Sequence, residues 1–116
     1  MERKVMMLMA GAMGAGGVAA AAAASHLESS RTIAALATIA LAHAPVLLIL
    51  AERLKRGRLI RLAAWVLAIG AAGFVLDMAI RTFLPDRMPG FAAPVFGAMM
   101  MLGWVGTGIF GVAEKH

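Results

Sequence analysis

The segment Glu52-Arg53-Leu54-Lys55-Arg56-Gly57-Arg58-Leu59-Ile60-Arg61 decides the fold, because it is a dense charged stretch near the middle of an apolar sequence. It holds five of the eleven lysine and arginine residues in ten positions. An apolar half of the chain lies on each side of it. The sequence therefore predicts two hydrophobic hairpins joined by one positive loop.

The composition indicates that the solvent of this chain is lipid. Hydrophobic residues make up 62% of the 116 residues, and the mean hydropathy is +0.87. Soluble domains contain about 45–50% apolar residues, and a chain this short buries only a small fraction of its surface. We expect a single all-α transmembrane domain that spans residues 1–116.

Four apolar segments predict four membrane-spanning helices, at about 5–24, 32–51, 62–80 and 91–113, with a loop at 52–61. The first two contain 20 uncharged residues each, which is about 30 Å of helix and matches the hydrocarbon core. The first segment, with Ala22-Ala23-Ala24 before Ser25, also has the form of a secretory signal peptide. Its length favours a transmembrane helix.

The distribution of positive charge predicts the orientation of the helices. Eight lysine and arginine residues fall at the termini and in the central loop, and three fall at the opposite ends of the helices. By the positive-inside rule, both termini and the central loop are cytoplasmic. We therefore expect an up-down-up-down four-helix bundle in a bacterial inner (plasma) membrane.

The net charge of +5 does not predict a nucleic-acid partner, because the basic residues lie only where apolar segments end. We interpret the basic residues of the central loop as facing anionic lipid: Arg53, Lys55, Arg56, Arg58 and Arg61. The absence of cysteine excludes disulfides, thiolate metal sites and cysteine nucleophiles.

His43 is the strongest single candidate for function, because an ionisable side chain at mid-membrane depth is costly. It is interpreted as a proton relay, as an axial haem ligand, or as a neutral imidazole with a structural role. In the last case it bonds a hydroxyl on another helix or a carbonyl in a kink that Pro45 causes. We favour the structural role, because a bis-histidine haem site needs a second histidine at a similar membrane depth on another helix. His26 lies at the outer end of the first helix, and His116 is the last residue.

Asp77 and Arg81 form an i, i+4 pair with the acid first, which is the favourable order. Asp77 is expected near the outer interface, where an ion pair needs no function. The alternative is a gate or coupling site that faces an interior cavity, with Thr38 and His43 lining the same pathway.

The sequence predicts no enzyme and no cofactor. The P-loop, paired intramembrane carboxylates and the serine–histidine–aspartate set are missing. The ten methionines, among them Met9, Met13 and Met99-Met100-Met101, raise the alternative of a copper(I) site. We expect packing instead, because consecutive methionines point in different directions on a helix.

Small residues predict close contact between helices, either within the chain or between protomers. The residues that we expect at such contacts are Gly11, Gly14, Gly97, Gly103, Thr107 and Gly111.

Three short motifs resemble those of the YgdD/YwdK-type small four-span membrane proteins, which share a domain of unknown function with a eukaryotic transmembrane protein. Ala24-Ser25-His26 stands in the place of a G-A-H-like motif at the end of the first helix. The segment from His43 to Leu48 is similar to the second helix of the family, and Pro94 to Gly97 with Gly103-Trp104 to the last. The resemblance implies four spans and leaves the activity open.

Two functions follow as hypotheses. The first is a non-catalytic structural or accessory membrane protein that packs against itself or a larger membrane complex. It predicts a closed hydrogen bond at His43 and no polar pathway. The second is a small oligomeric transporter or channel with His43 in the pathway.

Overall fold

The computed structural model of the protein describes residues 1–26, 30–84 and 89–113. These residues form four helices and no strand, with α1 at Glu2–Ala24, α2 at Ser30–Ala51, α3 at Arg58–Phe83 and α4 at Ala92–Ala113. All four helices are long and apolar enough to cross a membrane. The all-α class and the four candidate spans agree with the sequence-based prediction.

Three of the four helices extend further than the apolar segments from which they were predicted, and α4 has nearly the predicted bounds. The basic segment 52–61 is only partly a loop, because α3 begins at Arg58 and its first turn includes Arg61. At the other end α3 continues to Phe83. Lysine and arginine have long apolar stems that carry the charge to the interface. A helix can therefore continue past the last uncharged position, which a count of uncharged residues does not register.

The chain folds as two antiparallel hairpins. Gly14 lies against Ala44 and Gly17 against Leu41, which sets the pairing of α1 with α2. Gly70 lies against Met100 and Gly103 against Leu67, which sets the pairing of α3 with α4.

The two hairpins join through α2 and α3, and the four helices do not close into a ring. In the described residues, α1 approaches α3 only slightly, and no Cα atom of α1 comes within 8 Å of one in α4. Along its backbone, α4 therefore packs on α3 alone. One long side of α4 is left to face lipid or another protein.

Glycine sets the spacing of α3 and α4. A Cβ atom added at Gly103 would lie 2.6 Å from the Cα of Leu67, and one added at Gly70 would lie 2.8 Å from the backbone nitrogen of Met100. Real Cβ atoms do not approach other atoms so closely, so any side chain at these positions would force the helices apart. Small residues at membrane helix contacts allow this backbone-to-backbone packing.

Candidate functional site

His43 is buried, with 5% of its surface exposed, and both of its ring nitrogens are hydrogen-bonded. Nδ1 lies 2.8 Å from the carbonyl oxygen of Ile39, one turn earlier on α2. Nε2 lies 3.0 Å from Nε1 of Trp104 on α4. The two rings meet edge to face, with centroids 5.6 Å apart and planes at 66°.

These partners define the protonation state of His43. A carbonyl oxygen only accepts a hydrogen bond and an indole nitrogen only donates one. Nδ1 must therefore carry the proton and donate to Ile39, while Nε2 accepts from Trp104. The imidazole is neutral in this arrangement, and neither nitrogen has a free lone pair for a metal ion or a haem iron.

Trp104 is the partner that sequence reasoning did not identify. The expected partners were a hydroxyl on another helix or a carbonyl in a kink at Pro45. One of the two partners is a backbone carbonyl of α2, that of Ile39, and Pro45 lies inside the same helix. A signal for Trp104 was present in its position. It lies near the middle of α4, whereas membrane tryptophans are enriched at the two interfaces.

Thr38 does not join His43. Its hydroxyl donates to the carbonyl oxygen of Ala34, 3.0 Å away on the same helix, and the side chain is exposed. Asp77 lies on a different helix and is fully buried. Among the described hydrogen bonds, none joins Thr38, His43 or Asp77 to another of the three.

Asp77 and Arg81 form an ion pair that is less exposed than the sequence suggested. Arg81 Nε donates to Asp77 Oδ2 over 2.9 Å, with 0% of the aspartate side chain and 32% of the arginine side chain exposed. Arg81 Nη2 also donates to the carbonyl oxygen of Pro89, 2.6 Å away, just before α4. The pair thus ties the end of α3 to the start of α4. Asp77 Oδ1 is buried without a protein partner.

At the opposite end of the molecule, Glu2 joins α1 to α3. Its Oε1 accepts from Arg61 Nε at 2.9 Å and from Trp65 Nε1 at 2.9 Å. Arg61 Nη2 lies 2.9 Å from the same oxygen. Arg61 was expected only as a lipid-facing residue. The acidic partner was not predicted.

A second ion pair lies at the same end. Arg3 Nε donates to Glu52 Oε1 over 2.7 Å, and both side chains are more than half exposed. The hydrogen bond from Arg3 holds the pKa of Glu52 below its ordinary value. This contact fixes the first turn of α1 to the loop between α2 and α3.

The remaining basic residues of the central segment differ in their surroundings. Arg53 is half-buried, while Lys55, Arg56 and Arg58 are exposed. Of the five residues interpreted as lipid-facing, Arg61 is thus already bound to Glu2, and the others lie on or near the surface at this end.

The glycines that the sequence singled out fall into two groups. Gly14, Gly97 and Gly103 lie within van der Waals reach of the facing helix, whereas a Cβ at Gly11 or Gly111 would meet no atom within 4 Å. The buried hydroxyl of Thr107, on the same helix as Gly103 and Gly111, has no protein partner. Sequence reasoning missed Gly70 and Gly73, where an added Cβ would collide with the backbone of Met100 and the ring of Phe96.

An apolar groove of about 560 Å³ opens between α1, α2 and α3. Met9 and Met13 line it together with alanines and glycines of α1. Met99, Met100 and Met101 lie on α4, which the described part of α1 does not approach. Met13 and Met100 nevertheless belong to the same buried apolar cluster. Within residues 1–26, 30–84 and 89–113, histidine, aspartate and glutamate also form no cluster of three or more that is suited to a metal ion.

The chain is a helical protein with four candidate membrane spans and a part-buried histidine–tryptophan hydrogen bond between the hairpins. No family model, curated protein or solved structure matches it. Its function must therefore be argued from its own geometry.

Proposed function

We propose that the protein is a non-catalytic structural or accessory component of a bacterial inner membrane, where it packs against itself or within a larger membrane complex. The proposed topology has both termini and the 52–57 loop in the cytoplasm, because eight of the eleven basic residues lie on that side. The suspected kinship with the small four-span family is part of the same proposal.

The observation that carries the proposal is the use of glycine on surfaces that the chain itself leaves open. At four helical positions an added Cβ would meet no atom of the described residues within 4 Å, and these positions are Gly11, Gly16, Gly108 and Gly111. Glycine inside a helix is less favourable than alanine by about 1 kcal/mol, and contact with lipid tails does not offset this loss. Close contact with the backbone of another helix does offset it, because only a small residue allows that approach.

The position of Gly108 and Gly111 makes this argument specific to α4. They follow Trp104 by four and seven residues, so the three lie on one face of the helix. Trp104 uses that face to reach α2, and it remains 44% exposed. The two glycines extend the same face toward the cytoplasmic end, where the space in front of them is empty.

The environment of His43 also supports a structural role. A group that relays protons or binds a substrate needs at least one accessible nitrogen, and both nitrogens of His43 are engaged inside the chain. The groove between α1, α2 and α3 is lined almost entirely by apolar residues. It offers no polar route across the membrane.

The alternative, an oligomeric transporter or channel with His43 in its pathway, has one observation in its favour. Asp77 Oδ1 is buried and lacks a protein partner among the described residues, as expected for a carboxylate that accepts a hydrogen bond from water or coordinates a transported cation. In the described chain Asp77 and His43 lie on different helices and have different partners. The structural role requires no rearrangement of them.

The test of the proposal is the assembly state of the full chain after gentle extraction from its own membrane, measured by native mass spectrometry. We expect a reproducible assembly, either with copies of itself or with larger subunits. Gly108→Leu is expected to abolish it by filling the open face of α4. Ala98→Leu is the matched control, because Ala98 is exposed on a different face of the same helix.

Two results would count against the proposal. A bare monomer in native lipid would remove the accessory role. A homo-oligomer that shows ion flux, lost in His43→Ala with folding retained, would establish the transport alternative in its place.

A further inference from the structure

A second cavity lies at the end of the molecule that carries most of the positive charge. It has a volume of about 390 Å³ and lies between the first turn of α1 and the start of the loop after α2. That volume equals about a dozen water molecules at ~30 Å³ each. It is larger than a single small ion needs. The floor is apolar, because Ala51 and Leu54 are buried beneath it.

The charges around this cavity do not cancel. Its two acidic residues are already neutralised, since Glu2 is paired with Arg61 and Glu52 with Arg3. Lys4 and Lys55 remain, and they are exposed. The two lysines come from different parts of the chain, one from α1 and the other from the loop. The ion pair of Arg3 with Glu52 holds these two parts together.

We propose that this cavity binds a phosphate-bearing anion, with Lys4 and Lys55 as its two cationic contacts. A lining that combines two exposed lysines with the buried apolar residues Ala51 and Leu54 suits an amphiphile, whose phosphate would meet the lysines while its first methylenes contact the apolar residues. The cavity is at the end of the membrane-spanning helices, at the depth of lipid headgroups. The headgroup of an anionic phospholipid therefore fits it, and a soluble phosphate shares the same chemistry.

The proposed site differs from a general attraction between a basic loop and a negative membrane. Binding there depends on Lys4 and Lys55 and not on the other basic residues nearby. Arg61 is bound to Glu2, and Arg58 is exposed but does not line the cavity. The inference does not depend on the proposed accessory role, since an isolated chain already contains the whole site.

The experiment titrates the full chain, in nonionic detergent, with phosphatidylglycerol and separately with phosphatidylcholine, and counts bound lipids by native mass spectrometry. A juxtamembrane lysine contributes enough attraction to change binding about fivefold. We expect Lys4→Gln and Lys55→Gln each to weaken phosphatidylglycerol binding by about that factor, and the double variant by about 25-fold. Arg58→Gln removes the same charge from the same end and is expected to change binding less than about twofold.

Addition of inorganic phosphate distinguishes the two sources of the anion. If the lipid stays bound in excess phosphate, the site belongs to the phospholipid. If phosphate displaces the lipid, and does so only when both lysines are present, the site belongs to a soluble phosphate group. Circular dichroism of each variant checks that the helices are retained. Equal weakening by Arg58→Gln, or binding that neither lysine variant changes, would overturn the site.

Discussion

The indole N–H of Trp104 donates to Nε2 of His43 over 3.0 Å, and this bond connects the two hairpins across helices that otherwise stay apart. In the described residues, no Cα atom of α2 lies within 8 Å of one in α4. The bond fixes the tautomer of His43 and the position of α4 together. It thus links an intramembrane histidine to the packing of the chain.

The first prediction concerns the coupling between these two side chains. Trp104→Phe leaves Nε2 of a buried histidine without its donor, and His43→Leu removes the acceptor. Interhelical hydrogen bonds in membranes contribute about 0.6 kcal/mol on average and reach about 1.7. We therefore expect a coupling free energy of about 0.5–1.5 kcal/mol in a double-mutant cycle, measured by unfolding in mixed detergent micelles.

The control for this cycle is Val105→Ala, next to Trp104, because Val105 is exposed and has no described bond to α2. Its effect should add to that of His43→Leu without coupling. Additive effects of Trp104→Phe and His43→Leu would mean that the bond contributes nothing to stability.

The second prediction concerns the two kinds of glycine on α4. Gly103→Ala places a Cβ atom 2.6 Å from the Cα of Leu67, so α3 and α4 must separate, at a cost of about 1–3 kcal/mol for overpacking. Gly108→Ala meets no atom within 4 Å and should stabilise the isolated chain by up to about 1 kcal/mol through helix propensity. Unfolding in mixed micelles should therefore show a lower free energy of unfolding for Gly103→Ala and a higher one for Gly108→Ala. Equal destabilisation by both would place Gly108 in a contact within the chain.

The distribution of charge and apolar residues was enough to predict the helical class and four spans, because these depend on properties that add along the chain. Helix ends were predicted less accurately, since Arg58 and Arg61 are charged and yet lie in α3. Partners across the chain were not predicted. Trp104 lies 61 residues from His43 and Arg61 lies 59 residues from Glu2. Such pairs depend on how helices rotate about their axes, which residue spacing within one helix does not determine.

The glycines show the same limit in another form. The sequence indicates that small residues on α4 pack against something, but it does not separate Gly103, which meets Leu67, from Gly111, which meets nothing. That difference arises from where α3 crosses α4. It is a property of the helix pair and not of either helix alone.

The third prediction concerns pH. The pKa of Glu52 is lowered by the hydrogen bond from Arg3, so the ion pair stabilises the fold above the ordinary pKa of glutamate. This contribution is lost as the pH falls through the lowered value. We expect the Glu52 carboxyl to titrate at a higher pH in Arg3→Gln than in the unmodified chain, as measured by its carbon-13 chemical shift. Arg58→Gln is the control, because Arg58 is exposed and does not line the cavity that contains Glu52. An unchanged titration midpoint in Arg3→Gln would mean that the pair does not form in solution.

The last prediction concerns the ion pair that joins α3 to the start of α4. Arg81→Gln leaves the carboxylate of Asp77, which is 0% exposed, without its partner. Breaking a buried pair in this way costs about 3–5 kcal/mol, and we expect the lower end because 32% of the Arg81 side chain is exposed. Asp77→Asn removes the charge together with the pair, so it should cost less, about 1.5–3 kcal/mol for a lost charge-assisted bond.

The order of the two variants is the informative result, because it reports the charge on Asp77. An ionised Asp77 makes Arg81→Gln the more damaging change, and adding Asp77→Asn to it should restore part of the lost stability. If Arg81→Gln is the milder change and the double variant recovers nothing, Asp77 is protonated in the membrane. Oδ1, which has no protein partner among the described residues, would then be a site where a proton binds, and the transport alternative would gain a second observation in its favour.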